Sequence, residues 1–220
     1  MPFSYINDNS NEFNTLRLVW NIYSYQTISF YQLFENLRNI LEVDLSNYDT
    51  SKVTNMSQMF FNCSSLTSIN LGNMDTSLVE SMKLMFGGCV SLEELDVSSF
   101  DTSKVKDMYF MFSYCKKIKN LDVSRFDTSN VEQFDGLFLG MESLDNINIT
   151  NFDTSKGITM NSMFFRCITL TSLDLSSFDT SSVTDMSSMF YDANQLKSLD
   201  LSNFDTSKVI DMNLMFFLCK

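Results

Sequence analysis

This chain of 220 residues contains no histidine, one proline and six glycines, and basic residues are scarce. Each shortage excludes something. Without histidine there is no Ser-His-Asp or Cys-His machinery, no imidazole proton shuttle and none of the commonest zinc ligand. Lys and Arg number 15 against 27 Asp and Glu, a net charge of −12. That balance argues against nucleic acid or an anionic membrane surface as partner. No apolar run reaches the roughly 18 residues of a membrane helix, so membrane insertion is not expected. The start, MPFSYINDNSNEF, has neither the basic nor the apolar region of a signal peptide. On that ground alone the chain would stay in the cytoplasm. Hydrophobic residues make up 44%, too many for a disordered chain.

What is present is a repeat. Asp-Thr-Ser occurs seven times, at Asp49, Asp75, Asp101, Asp127, Asp153, Asp179 and Asp205, always 26 residues apart. Upstream of it lie Leu92, Leu95, Val97 and Phe100; downstream lie Val105, Met108, Met111, Phe112 and Cys115. The same columns recur along the chain and extend back to Phe30. The segment around Leu16, Leu18 and Trp20 fits poorly, as terminal caps do. We therefore divide the chain into an N-terminal arm and degenerate cap, 1–23, and a solenoid, 24–220, whose last repeat is incomplete.

The two halves of the unit have different periods. Leu95 and Val97 alternate with Glu94, Asp96 and Ser98, which predicts a short strand. Spacings of 3, 3, 1 and 3 from Val105 to Cys115 predict a short helix. Asp-Thr-Ser between them supplies good N-cap residues. The expected class is α/β: about eight 26-residue coils, with a parallel sheet on one face and short helices on the other. At about 4.8 Å per coil the stack would be roughly 40 Å long.

The stretch Leu92-x-x-Leu95-x-Val97-x-x-Phe100 resembles the leucine-rich repeat. Its usual Asn is replaced by an aromatic column: Tyr48, Phe100, Phe126, Phe152, Phe178 and Phe204, with Met74 the exception. With no Asn ladder, the Asp-Thr-Ser column is the expected substitute. The whole unit, LxxLDLSxFDTSxVxxMxxMFxxC, is similar to the 26-residue repeat of bacterial surface proteins, the BspA-like leucine-rich repeats. The resemblance covers about residues 27–220. It implies a right-handed solenoid on a cell-surface or secreted protein engaged in adhesion, and no catalytic residues.

The five cysteines, Cys63, Cys89, Cys115, Cys167 and Cys219, share one column with Met141 and Ala193. A slot that accepts Cys, Met and Ala is an apolar core position, so buried free thiols are expected rather than disulfides. Cys-x-x-Cys zinc spacing is absent. The Asp-Thr-Ser aspartates are read as turn caps. A second acidic column holds Asp44, Asp96, Asp122, Asp174 and Asp200; together the two account for 12 of the 27 acidic residues. Stacked carboxylates suggest calcium, but the Gly-rich, closely spaced Asp motif of calcium-binding rolls is missing. Calcium is therefore expected to change stability little. An ice-binding threonine array is disfavoured because Thr50 to Thr206 sit at a capping turn. No metal and no cofactor is expected.

Binding residues are sought on the strand face: Glu42, Asp44, Glu94, Asp96, Asp122, Asp174 and Asp200. Concave sheet faces bind partners in other solenoids. Its acidity would suit a basic protein patch. A row at Phe61, Leu139, Phe165, Tyr191 and Phe217 either forms an exposed apolar stripe or folds into the next turn. The divergent unit at Phe134, Gly136, Leu137, Gly140 and Met141 suggests a bend. The coil ending in Met215-Phe216-Phe217-Leu218-Cys219-Lys220 has no polar cap, so either the sequence is a fragment of a longer chain or the open end associates end to end with another chain. The expected function is non-enzymatic: adhesion-type binding of a protein or glycan at the cell surface. The alternative is an intracellular scaffold or assembly subunit, which free thiols and the lack of a leader would suit.

Overall fold

The computed structural model describes residues 28–220 throughout, together with the backbones of Ser4–Ile6 and Arg17–Val19. These two segments, β1 (Ser4–Ile6) and β2 (Arg17–Val19), pair antiparallel. The cap expected over 1–23 otherwise lies outside the described residues. Beyond it come β3 (Ile28–Ser29), β4 (Glu42–Asp44), β5 (Val53–Asn55) and β6 (Ser68–Asn70). β3 pairs with β5, and β4 with β6, both in parallel. Val43 lies opposite Ile69, an offset of one repeat. Parallel bridges then run Asn55–Ser81–Asp107–Gln133–Thr159–Asp185–Asp211. Every step is 26 residues, so one repeat makes one coil and each coil lies on the next.

The expected helices do not form: among the described residues there is no α-helix. The Val-Met-Met-Phe-Cys segment is instead an arc of consecutive tight turns. Alternate amides bond within the coil, as Met59 N–H to Met56 O (3.3 Å) and Cys63 N–H to Phe60 O (3.1 Å). The amides between them bond the next coil, as Gln58 N–H to Lys83 O (2.7 Å) and Phe60 N–H to Met85 O (2.8 Å). The amides from Gln58 to Cys63 are thereby satisfied without the i−4 pattern of a helix. The turns need a positive φ at their third residue. Gln58 (58°) and Asn62 (59°) provide it, and the pair recurs every 26 residues from Gln32 and Asn36 to Leu214 and Leu218. Only Gly88, Gly136 and Gly140 in these columns are glycine.

The spacing of 3, 3, 1 and 3 holds, but two linked turns satisfy it as well as a helical stripe does. Met56, Met59, Phe60 and Cys63 all point inward and are fully buried. Phe34, Phe60, Phe86, Phe112, Phe138, Phe164, Phe190 and Phe216 form one continuous ring stack, with centroids 5.1–6.0 Å apart. Helices about 10 Å wide could not sit that close. A helical outer side would have to fan open, leaving the strand side concave. The arc stacks at a spacing close to the strand spacing of about 4.8 Å instead.

The expected strand is also shorter than predicted. It forms as β4 and β6 and as a bridge between Asn120 and Asn146, while the Leu95–Val97 segment carries no strand. The inward positions nevertheless stand. Leu92, Val97, Leu121, Val123, Leu170 and Leu175 are buried in the same core as the arc. The off-stripe row divides between the two expectations: Leu139 is buried, Phe61, Phe165 and Tyr191 are half-buried with the Phe165 and Tyr191 rings stacked at 4.5 Å, and Phe217 is exposed. No register break accompanies the divergent unit. Phe134, Leu137 and Met141 are fully buried, and Gln133 bridges both Asp107 and Thr159. Gly136 and Gly140 there occupy the two positive-φ columns, with φ 55° and 68°.

Candidate binding face

The Asp-Thr-Ser turn is built by two side chains with separate tasks. Each aspartate accepts the amide of the serine two residues on: Ser51 to Asp49 (3.0 Å), Ser77 to Asp75 (3.0 Å), Ser103 to Asp101 (3.0 Å) and Ser129 to Asp127 (3.0 Å). Asp153, Asp179 and Asp205 do the same for Ser155, Ser181 and Ser207. These are Asx turns. The aspartates are turn caps as expected, but no helix follows for them to cap. Threonine ties neighbouring coils. Thr102 Oγ1 donates to Asp127 O (2.9 Å) and accepts from Asp127 N–H (2.8 Å). Thr76, Thr154 and Thr180 do likewise with Asp101, Asp179 and Asp205. This buried threonine ladder lies two residues past the aromatic column and is how the Asp-Thr-Ser column satisfies the turn backbone. Thr50, at its start, has a buried hydroxyl with no partner.

The second acidic column is also made of turn caps. Asp44, Asp96, Asp122, Asp174 and Asp200 accept the amides of Ser46, Ser98, Ser124, Ser176 and Ser202, at 2.8–3.0 Å. Hydrogen bonds from the hydroxyl and amide of these serines hold the carboxyls below the usual range. The side chains remain solvent-exposed, so one carboxylate edge closes a turn while the group stays accessible. Glu42 and Glu94 are exposed and close no such turn.

Two grooves cross this face. One, of about 840 Å³, gathers Glu93, Glu94, Asp96, Lys117 and Lys119 around Leu95 and Ile69. Lys117 Nζ reaches Glu93 Oε1 at 3.0 Å. The other, of about 530 Å³, has a floor of Ile147, Leu173 and Leu175. Its walls are rows of Asn146, Ser172 and Ser198, then Asn148, Asp174 and Asp200. No basic residue lines it. The structure thus brings Glu94 together with Asp96, and Asp174 together with Asp200. Glu42, Asp44 and Asp122 line neither groove.

Sequence reasoning missed three features. Lys117 and Lys119 belong to the first groove, and their signal is a local departure from the repeat. A third column of turn caps, Asn55, Asp107, Asp185 and Asp211, accepts the amides two residues on at 2.8–2.9 Å. Its signal was a polar residue just before each core methionine. Asp135 is the third. The residue is 9% exposed, and its carboxyl accepts Thr159 Oγ1–H and Asn161 N–H, the latter at 3.2 Å. Burial, with a lesser push from Asp185, raises it above the ordinary carboxyl range.

The cysteines are unpaired as disulfides; four are buried and Cys219 is exposed. Each thiol donates to the carbonyl of the stacked phenylalanine 29 residues earlier, as Cys89 Sγ to Phe60 O at 3.2 Å and Cys115 Sγ to Phe86 O at 3.3 Å. Burial pushes Cys63 up to about 11, and Cys115 and Cys167 up to about 12. They pack and do not react.

A family model described as "Mycoplasma protein of unknown function, DUF285" matches residues 28–143 and 115–220. None of the curated proteins matches. Among solved structures, a leucine-rich repeat protein from Bacteroides ovatus is 15% identical, over 91% of this chain and 81% of that one, with a TM-score of 0.29.

Proposed function

For a chain that belongs to the DUF285 family, we propose a non-enzymatic binding module that makes adhesion-type contact with a protein or glycan at the cell surface. The observation that carries this reading is the groove between Asn146 and Asn203. Its apolar floor and walls of hydroxyl, amide and carboxylate groups offer many hydrogen-bonding positions to an extended ligand. The lack of histidine supports a role without general acid–base catalysis. Similarity of the repeat unit to BspA-like leucine-rich repeats supports the surface location and a right-handed stack of about eight coils. The second reading, an intracellular scaffold using the same face, is favoured by one observation: five cysteines that form no disulfide.

Pull-downs on beads carrying the protein test both readings, against host-matrix glycoproteins and against cytoplasmic lysate. Ser172→Trp and Ser198→Trp fill the groove without replacing a core residue or a turn cap. Matrix enrichment lost in both variants is the expected result. Lysate enrichment lost in both favours the scaffold. Capture indifferent to both substitutions, or no capture, removes the groove from the function.

A further inference from the structure

The groove between Asn146 and Asn203 carries two unpaired charges. Asp174 and Asp200 stand on successive coils, about 4.8 Å apart along the stack. Each uses one carboxylate edge in its turn, Oδ1 accepting the amide of Ser176 or Ser202 at 2.9 Å. Among the described residues neither carboxylate has an ion-pair partner. The other adjacent pair of this column differs. Asp96 shares its groove with Lys117 and Lys119, and Arg125 lies close enough to Asp122 to lower it. Asp96 and Asp122, with coils on both sides of them, are exposed in the same way. Exposure therefore belongs to the outward column itself and not to a place along the stack.

The floor beside these carboxylates is apolar, made by Ile147, Leu173 and Leu175. The other wall, Asn146, Ser172 and Ser198, is neutral and can both donate and accept hydrogen bonds. Paired negative charge, apolar surface and neutral hydrogen-bonding groups are thus set side by side. An arginine or lysine side chain joins a hydrocarbon stem to a cationic head, and it lays the stem on apolar surface while the head stays with charge or water. A polypeptide backbone brings N–H and C=O groups in equal number to the neutral wall.

We propose that this groove seats an extended, cationic polypeptide segment, with arginine or lysine heads at Asp174 and Asp200 and their stems along Leu173 and Leu175. The cationic occupant presupposes that the groove is the binding surface, and it narrows the partner to a basic protein segment. Charge makes the selection. Two like charges one coil apart repel, and a cation held between them replaces that repulsion with attraction. A neutral saccharide meets the hydroxyls and amides but leaves the repulsion in place. An acidic segment meets both carboxylates and a chain of net charge −12. Arginine suits the site better than lysine, because its planar fork of donors can bond two carboxylates at once.

The test uses the full chain and a fluorescent peptide of alternating serine and arginine, followed by anisotropy. The peptide is expected to bind. Its counterpart with citrulline for arginine, equal in shape and uncharged, is expected to bind about tenfold more weakly or less. Asp174→Asn and Asp200→Asn are each expected to weaken binding about threefold, and together about tenfold. Both are expected to fold, because asparagine closes the same turn where Asn70 accepts the Gly72 amide at 3.1 Å. Glu132→Gln removes the same charge from an exposed position outside the groove and is expected to leave binding unchanged. No peptide binding, equal binding of the two peptides, indifference to both aspartate substitutions, or equal weakening by Glu132→Gln each overturns the proposal. Capture of a matrix glycoprotein that Ser172→Trp abolishes and both asparagine variants leave intact overturns the cationic occupant while keeping the groove as the binding surface.

Discussion

The threonine of Asp-Thr-Ser shows how much one side chain can do inside a stack. Thr154 is fully buried; its hydroxyl donates to Asp179 O and accepts from Asp179 N–H, both at 2.9 Å. Thr154→Val keeps the shape and removes both bonds, leaving a buried amide and carbonyl short of a partner. It is expected to cost about 1–3 kcal/mol, read from the denaturant midpoint. Thr50→Val removes a hydroxyl that has no partner and should change stability by less than about 0.5 kcal/mol. Equal losses at the two sites would contradict the ladder. The aspartates make stability depend on pH with opposite signs. Asp49, Asp101, Asp153, Asp179 and Asp205 are held below the ordinary value of 3.8 by bonds from their serines. Their stabilisation is present above 3.8 and is lost as pH falls through the lower folded-state values. Asp135 is raised, so its contribution is favourable while the carboxyl is protonated and is lost as pH rises through the folded-state value. Melting temperature is expected to drop below about pH 4. The difference between Asp135→Asn and the unaltered protein should move in the variant's favour between about pH 3 and pH 7. A difference that stays flat with pH would show that Asp135 pays no burial cost.

At the scale of the element, the arc that replaces the helix decides the sign of two substitutions. In a helix, Ser188→Gly would destabilise by about 0.5–1 kcal/mol and Gly136→Ala would stabilise. In the arc both reverse. Ser188 sits at φ 56°, a conformation that costs an ordinary residue about 1 kcal/mol and glycine almost nothing. Ser188→Gly is thus expected to raise the melting temperature. Gly136 has φ 55°, and a Cβ there would lie 2.7 Å from the Phe110 ring. Gly136→Ala should cost about 1–3 kcal/mol. Both are read by thermal unfolding, alongside a far-ultraviolet circular dichroism spectrum without the helical double minimum. The helix expectation failed for a definite reason. Inward residues at spacings of 3, 3, 1 and 3 suit a helical stripe and a two-turn arc alike. What separates them is whether alternate amides find acceptors one coil away, and no single repeat contains that information. The hint was there in Asn36, Asn62, Gly88, Gly136 and Gly140, but it is scattered over different coils and shows only when their columns are compared.

Across the whole molecule, the repeated slots give the cysteines a common fate. Four thiols point into the core and donate to phenylalanine carbonyls, and burial lifts them far from ionisation at neutral pH. Cys219 is exposed and less strongly raised, by burial again. Alkylation of the native protein near pH 8 should modify Cys219 alone, with all five reacting after denaturation. Rapid reaction of Cys89 or Cys115 in the native state would mean that the stack opens. The acidic candidates were partly legible in the same way. Their column was visible, and so was their exposure on an alternating face. Their division into two grooves was not, because it depends on Lys117, Lys119 and the neutral Asn146, Ser172 and Ser198 departing from the repeat at particular coils.

The sequence by itself determined the 26-residue period, the inward columns, the thiol slot and the turn at Asp-Thr-Ser. Those follow from side-chain polarity and from local hydrogen bonds between residues two apart, which every repeat carries whole. Only the tertiary structure decided that the Met–Phe segment is an arc and that threonine is the ladder. Each of these rests on bonds between residues about 25 apart. A backbone amide has the same chemistry in every residue, and its acceptor is chosen by how one coil settles on the next.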